Sequence, residues 1–165
     1  MAGDFPAPVW RVKRQSLAHM NNSYEIIERN PGAGDFNRLR AAVGWPTFHP
    51  NDVEVALSNS LFSACVLHKG VVIGMARVIG DGRLIFYVQD LIVDPEHQGR
   101  GIGSKLMSKA LNYIRNAASG PCWVGLMANR SLDAFYGKFG FKEAGVRPRY
   151  YESPPEDGIV MKLRT

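Results

Sequence analysis

From Leu84 to Met127 the chain passes through an apolar stretch, a glycine cluster, an amphipathic stretch and a second apolar stretch, an order that few architectures accept. Leu84 to Val93 is apolar but for Gln89 and Asp90, and Pro95 ends it. Gly99 to Gly103 opens a helix running to about Ala118. Ile102, Leu106, Met107, Ala110, Leu111, Ile114 and Ala117 recur there at spacings of three and four, with Lys105, Lys109, Asn112 and Arg115 on the opposite face. After Gly120-Pro121, Cys122 to Met127 reads as another strand. Strand, glycine turn, helix and strand in succession make a right-handed parallel βαβ unit, which places the chain in the α/β class.

The flanking segments supply further strands and short helices. Tyr24 to Ile27 reads as a short strand. Phe36, Leu39 and Val43 mark a helix over Asp35 to Val43 with Asp35 as its N-cap, and Asn51 to Leu57 reads as a second. Phe62 to His68 and Val71 to Ile79, joined by Lys69-Gly70, have the pattern of an antiparallel hairpin. Ser131 to Lys138 is expected to be a short helix capped by Ser131 and ended by Gly140, followed by strands near Phe141 to Val146 and Ile159 to Leu163 with a polar loop, Arg147 to Gly158, between them. Residues 1–22 lack a period and are expected to form an arm beside one domain spanning residues 23–165.

A length of 165 residues suits a single domain, and 45% hydrophobic with 21% charged residues excludes disordered and fibrous classes. No apolar run approaches the roughly 20 residues of a membrane-spanning helix, and MAGDFPAPVWRVKR lacks the apolar core of a signal peptide. A soluble, cytoplasmic protein with no membrane partner is the expectation. Twenty Lys and Arg against fifteen Asp and Glu give a net charge of +5, which favours an anionic partner. The basic residues are scattered and no helix carries a basic stripe, so nucleic acid is not the expected one. Cys65 and Cys122 each sit in an apolar run and read as buried thiols. His19, His49, His68 and His97 match no zinc spacing, and no metal site is expected.

Chemistry concentrates where the long strand meets the helix. Glycines at a helix start leave backbone N–H groups exposed at the positive end of the helix dipole, a site for an anion and most often for phosphate. Arg100 and Lys105 can add charge. The segment is not an ATP-binding loop, which would need GxxxxGK followed by Ser or Thr. Nor does it carry the GxGxxG spacing and downstream acidic residue of a dinucleotide fold. Gln89 and Asp90 are a second anomaly, since burying polar groups in a strand costs energy unless they are hydrogen-bonded or used.

Gln98-Gly99-Arg100-Gly101-Ile102-Gly103, following Val93-Asp94-Pro95, resembles the Q/R-x-x-G-x-G/A loop of the GCN5-related N-acetyltransferases, which bind the pyrophosphate of acetyl-CoA. Asn129 followed by Ala134-Phe135-Tyr136-Gly137-Lys138-Phe139-Gly140-Phe141 is similar to that family's second signature. The resemblance covers Leu61 to Leu163 well. It implies a mixed central sheet of about six or seven strands, helices on both faces, and a splay between strands four and five.

The resemblance also implies roles. The pantetheine arm of acetyl-CoA, the acyl donor, would pair with the backbone of Leu91, Ile92 and Val93, and the pyrophosphate would rest on the N–H groups of Gly99 to Ser104, a run that includes Arg100, Gly101, Ile102 and Gly103 and follows Gln98. Asn129 would bond the pantetheine portion and Tyr136 would face the thioester sulfur. Asp90 or Gln89 would line the route by which the amine loses its proton, unless Asp90 is a buried carboxylate satisfied by backbone donors. Trp45, Gln89, Arg149 and Tyr150 are the candidates for the acceptor pocket, with Arg147 and Tyr151 beside them in the same loop. The expected activity is acetyl transfer to a primary amine by direct attack in a ternary complex, with a small-molecule acceptor preferred over a protein or peptide. A non-catalytic acyl-CoA sensor is the alternative, and a homodimer is compatible with the family.

Overall fold

A computed structural model describes residues 23–164. The expected arm at residues 1–22 lies outside them. In chain order the elements are β1 (Tyr24–Ile27), α1 (Ala33–Ala42), α2 (Pro50–Ser58), β2 (Phe62–His68), β3 (Val71–Gly80), β4 (Ile85–Val93), α3 (Ile102–Ala117), β5 (Trp123–Asn129), α4 (Asp133–Gly137), β6 (Lys142–Glu152) and β7 (Pro155–Arg164). Short 3-10 turns at Pro95–His97 and Arg130–Leu132 link β4 to α3 and β5 to α4. The seven strands form one mixed sheet in the order β1-β2-β3-β4-β5-β7-β6, and only β4 and β5 are parallel.

The helices cover both faces, as the apolar patterning requires. On one face, Phe36, Leu39, Val53 and Leu57 of α1 and α2 pack on Cys65, Val72, Met75 and Ile92. On the other, Ile102 and Leu106 of α3 meet Ala64, Val66, Ile73 and Ala76. Met107, Ala110, Leu111 and Ile114 continue that stripe over Phe86, Val88 and Val124. Each large apolar side chain so buried contributes roughly 1.5–3 kcal/mol before the entropic cost of ordering it. Because β3 sends alternate residues into both layers, its sequence is apolar almost throughout.

Three sequence expectations need correction. α1 begins at Ala33 rather than at Asp35, with Gly32 at the N-cap and no side-chain cap bond. Asp35 lies in the first turn instead, where it complements the helix dipole and pairs with Arg38 at 2.9 Å. Ser131 belongs to a 3-10 turn and donates to Asn129 Oδ1 at 2.9 Å, so it does not cap α4. The segment Arg147 to Gly158 is no loop. β6 and β7 run on through it as a long hairpin, its ladder interrupted between Arg147 and Tyr151 and resumed at Tyr151↔Glu156. Its charges and prolines hide the alternation by which strands are recognised.

Among the described residues no helix is long and apolar enough to cross a membrane, and no group of His, Cys, Asp and Glu is arranged to hold a metal.

Candidate active site

β4 and β5 pair at Ile85↔Trp123, Phe86↔Val124 and Tyr87↔Gly125, and then their ladder stops. β5 stays paired with β7 as far as Asn129↔Gly158, so a wedge opens beside the second half of β4. The divergence has a local cause. Arg77 pairs with Gln89 and Met75 with Ile92, leaving Ala76 alone to face both Asp90 and Leu91. This is a β-bulge, with Asp90 at φ 51°, and it bends β4 away from its parallel neighbour. Leu91, Ile92 and Val93 lie along the open side of the wedge.

The wedge leads at one end to the glycine loop. Asp94 accepts from the Glu96 N–H at 3.1 Å and Gln98 Nε2 donates to the Val93 carbonyl at 2.9 Å, which fixes the exit from β4. Gly101 is the N-cap of α3 at φ 75°, a conformation that strains any residue with a Cβ. The Lys105 N–H takes up the Gly101 carbonyl at 3.2 Å, while the amides of Ile102, Gly103 and Ser104 precede the first intrahelical acceptor. A Cβ added at Gly99 or Gly101 would meet nothing within 4 Å, so the backbone there is open to an approaching anion. A Cβ added at Gly103 would stand 3.6 Å from the Phe135 ring, so the start of α3 lies close to α4.

At the other end lies a cavity of about 490 Å³. Gln89, Asp90 and Leu91 form one wall, Asn129 and Tyr136 another, and Trp45 and Tyr150 the outer side. The sheet thus brings together seven of the residues singled out from sequence. Ile92 points into the core, Val93 packs against the cluster under α3, and the run Gln98 to Ser104 lies outside the cavity lining. Arg149 is not part of the lining, contrary to expectation. The break in the β6–β7 ladder puts it at φ 52° with its N–H on Asp157 Oδ1 at 2.9 Å. Cys122 is likewise outside the lining and, against the expectation of a buried thiol, only partly buried. Cys65 is buried in β2, and burial pushes its thiol up to about 11, so it has the inert character expected of it.

Asp90 is 3% exposed, and two arginines occupy its carboxylate. Oδ1 accepts from Arg40 Nη1 at 2.5 Å, and Oδ2 accepts from Arg77 Nε at 2.8 Å with Nη2 of the same guanidinium in ion-pair contact at 2.8 Å. It is the satisfied buried carboxylate, with guanidinium donors in place of the backbone donors foreseen. Arg77 also donates to the Ala56 carbonyl at 3.2 Å and to Ser60 Oγ at 3.0 Å, tying β3 and β4 to the end of α2. Arg40, which sequence reasoning passed over, donates from Nε to the Pro46 carbonyl at 2.7 Å and lies over the rings of Phe36, Trp45 and Phe48. Its sequence signal is an arginine four residues after Phe36, on the apolar stripe of α1. Tyr151, which the sequence placed beside the acceptor, lines the cavity and stacks on Trp45 with centroids 6.3 Å apart. The two walls can meet because Gly44, at φ 75°, lets Ser153 approach; a Cβ there would stand 2.8 Å from the Ser153 carbonyl oxygen.

Tyr136 is buried against Phe135 and Phe141, and burial, with Tyr87 nearby, holds its phenol proton well above the usual tyrosine range. Tyr87 is pushed up to about 12, mainly by burial. Both are proton-bearing donors at neutral pH.

The acetyltransferase (GNAT) domain model matches residues 59–143, just over half of the chain. The crystal structure of SA2161 from meticillin-resistant Staphylococcus aureus, titled a probable acetyltransferase, superposes with a TM-score of 0.71 at 32% identity, covering 78% of this chain and 100% of that one. Among curated sequences, the uncharacterized N-acetyltransferase ycf52 of Gracilaria tenuistipitata var. liui is 28% identical over 65% of this chain and 60% of its own length. The alanine N-acetyltransferase of ribosomal protein bS18 from Salmonella typhimurium is 28% identical over 81% of this chain and 89% of its own length. Another curated relative is matched over only 21% of its length, so the chain spans less than two thirds of the first relatives it resembles. A domain model that takes in both the glycine loop and Tyr136, together with a fully covered structural relative above 30% identity, carries more than a shared topology: the chain belongs to the GNAT acetyltransferase family.

Proposed function

We propose that the chain transfers an acetyl group from acetyl-CoA to the primary amine of a small molecule, by direct attack in a ternary complex. The observation that carries this reading is the wedge beside β4, which runs from open backbone amides at the glycine loop to a cavity containing Tyr136. The donor supplies a thioester, whose acyl carbon is open to attack by a neutral amine. The residues present fit it. The amides of Ile102, Gly103 and Ser104 suit a pyrophosphate, with Gln98 fixing the loop, Gly99 and Gly101 leaving its approach clear, and Arg100 between them adding positive charge. The freed edge of Leu91, Ile92 and Val93 suits an amide-bearing arm, and Asn129, whose Oδ1 is held by Ser131, keeps its NH₂ for a carbonyl.

Two proton movements remain. An alkyl amine near pKa 10.4 is about one part in a thousand neutral at pH 7.4, a handicap of roughly 4 kcal/mol. With both oxygens engaged by arginines, Asp90 is poorly placed to remove that proton. We assign it to positioning Arg40 and Arg77, and give the proton route to water beside Gln89. At the departing sulfur, Tyr136 donates a hydrogen bond. Full transfer from a phenol above the usual range to a thiolate near pKa 8.5 runs uphill by more than about 2 kcal/mol, so it completes late.

A second reading, acetylation of a protein or peptide N-terminus, has support in the relatives named as N-alpha-acetyltransferase RimI and bS18-alanine N-acetyltransferase. Calorimetry with acetyl-CoA, using ATP and NAD as controls, followed by thiol release with amines and with short peptides, separates the readings. Saturable acetyl-CoA binding and release with small amines is the expected result. Binding without release for any amine would leave a non-catalytic acyl-CoA-binding module, and no binding would reduce the glycines to a helix start.

A further inference from the structure

The charge of the buried cluster beneath the cavity does not cancel. Arg40, Arg77 and Asp90 are 8%, 8% and 3% exposed, and together they carry one positive charge in excess. A buried charge left without a counter-ion is costly, so the excess calls for one. The donors show which arginine is short of a partner. Arg77 spends Nε and Nη2 on Asp90 and Nη1 on Ala56 and Ser60. Arg40 spends Nε on the Pro46 carbonyl and Nη1 on Asp90, and among the described residues its Nη2 has no acceptor. Arg40 is also the arginine that lines the cavity.

The guanidinium is held firmly. Its carbon lies 5.6 Å from the ring centre of Phe36, 5.3 Å from that of Trp45 and 4.9 Å from that of Phe48, which fixes its plane and keeps water from its faces. A desolvated, oriented guanidinium edge with free N–H groups matches a carboxylate. Trp45 and Tyr151 beside it offer flat apolar surface. Glu152 also lines the cavity but is exposed, so the negative charge stands toward solvent and the positive charge at the floor.

The geometry points to an acceptor of the amino-acid class, a small primary amine that also carries a carboxylate, with Arg40 binding that carboxylate. The assignment rests on the acetyl-transfer reading of the same cavity and narrows its substrate class. A charge-assisted hydrogen bond of this kind is expected to separate matched acceptors by about tenfold or more in kcat/KM.

The test uses matched pairs with saturating acetyl-CoA: phenylalanine against 2-phenylethylamine, and 4-aminobutyrate against butylamine, followed by thiol release. The carboxylate-bearing member of a pair is expected to win by about tenfold, chiefly through KM, and Arg40→Lys is expected to narrow the gap while leaving acetyl-CoA affinity unchanged. Phenylacetate, which has no amine, should compete with the acceptor and not with acetyl-CoA, a measurement that stands even if the variant fails to fold. A peptide pair, Asp-Ala-amide against Asn-Ala-amide, locates the source; a preference confined to the peptides places the carboxylate on a polypeptide and overturns the small-molecule assignment. Equal turnover of charged and uncharged members, with no competition by phenylacetate, overturns the inference and leaves acetyl transfer standing. Acetyl-CoA binding with no thiol release from any acceptor overturns the transfer reading itself, and the inference with it.

Discussion

The two ends of the wedge beside β4 are built in opposite ways. The glycine-loop end is one unbroken run, Val93 to Lys105, whose turn is closed by bonds between neighbours such as Gln98 to Val93 and Lys105 to Gly101, with Tyr24 on His97 and Ile73 on Asp94 as ties to the rest of the sheet. The cavity end is assembled from α1, β4, β5, α4 and the β6–β7 hairpin, and its central contact, Arg40 to Asp90, joins residues 50 apart in sequence. A site made by local geometry can be read from a motif. A site made by convergence leaves only scattered anomalies in the sequence, such as a charged residue on an apolar stripe.

Substitutions should therefore separate by end. The largest effect is expected for Asp90→Ala, which leaves two buried guanidinium groups without their counter-ion; a loss of roughly 3–5 kcal/mol in unfolding free energy, measured in urea, is expected. A loss below about 1 kcal/mol would show that the arginines rehydrate and that the cavity floor is soft. Next, Tyr136→Phe keeps the ring packing and removes the donor, so kcat should fall about a hundredfold with acetyl-CoA affinity nearly unchanged. An unchanged kcat would move the proton donor elsewhere.

Gly101→Ala tests the loop end alone. Nothing stands within 4 Å of the added Cβ, so only backbone strain of about 1–2 kcal/mol acts. Acetyl-CoA affinity should drop by about tenfold while the acceptor KM holds; a matching rise in the acceptor KM would mean that the two ends are coupled. The smallest effect concerns alkaline pH. Tyr87 keeps its proton to about 12 in the fold, against about 10 when unfolded. Its contribution to stability is thus fully present below pH 10 and lost as pH rises toward 12. Tyr87→Phe should make that decline shallower in pH-dependent melting curves, and an unchanged decline would assign it to other groups.

The order of elements and the βαβ unit were legible because their apolar periods are strong and local, as in Ile102 to Ile114. Tyr136, Asn129 and the glycine loop were legible through contiguous motifs. Arg40 was not, since what matters in it is a partner far away in sequence, Asp90; Tyr151 was legible as an acceptor-side aromatic, but its stacking on the distant Trp45 was not. Asp90 stood out as a polar residue in an apolar strand, but its partners could not be named, because the bulge that turns it depends on the register of β3. Arg149 misled for the same reason, its setting being fixed by a break in a ladder that its own sequence does not announce.

β7 follows β6 in the chain yet lies between β5 and β6 in the sheet. A ribosome therefore releases β1 to β6 before the strand that joins the last of them to the rest exists. Until Pro155 to Arg164 emerges, β6 has no neighbour and the hairpin carrying Tyr150 to Ser153 cannot reach Trp45. A nascent chain stalled before Pro155 would hold the glycine loop without an acceptor side, so a nonsense codon there would remove the cavity wall and both the β5–β7 and β6–β7 ladders together, rather than trim an edge.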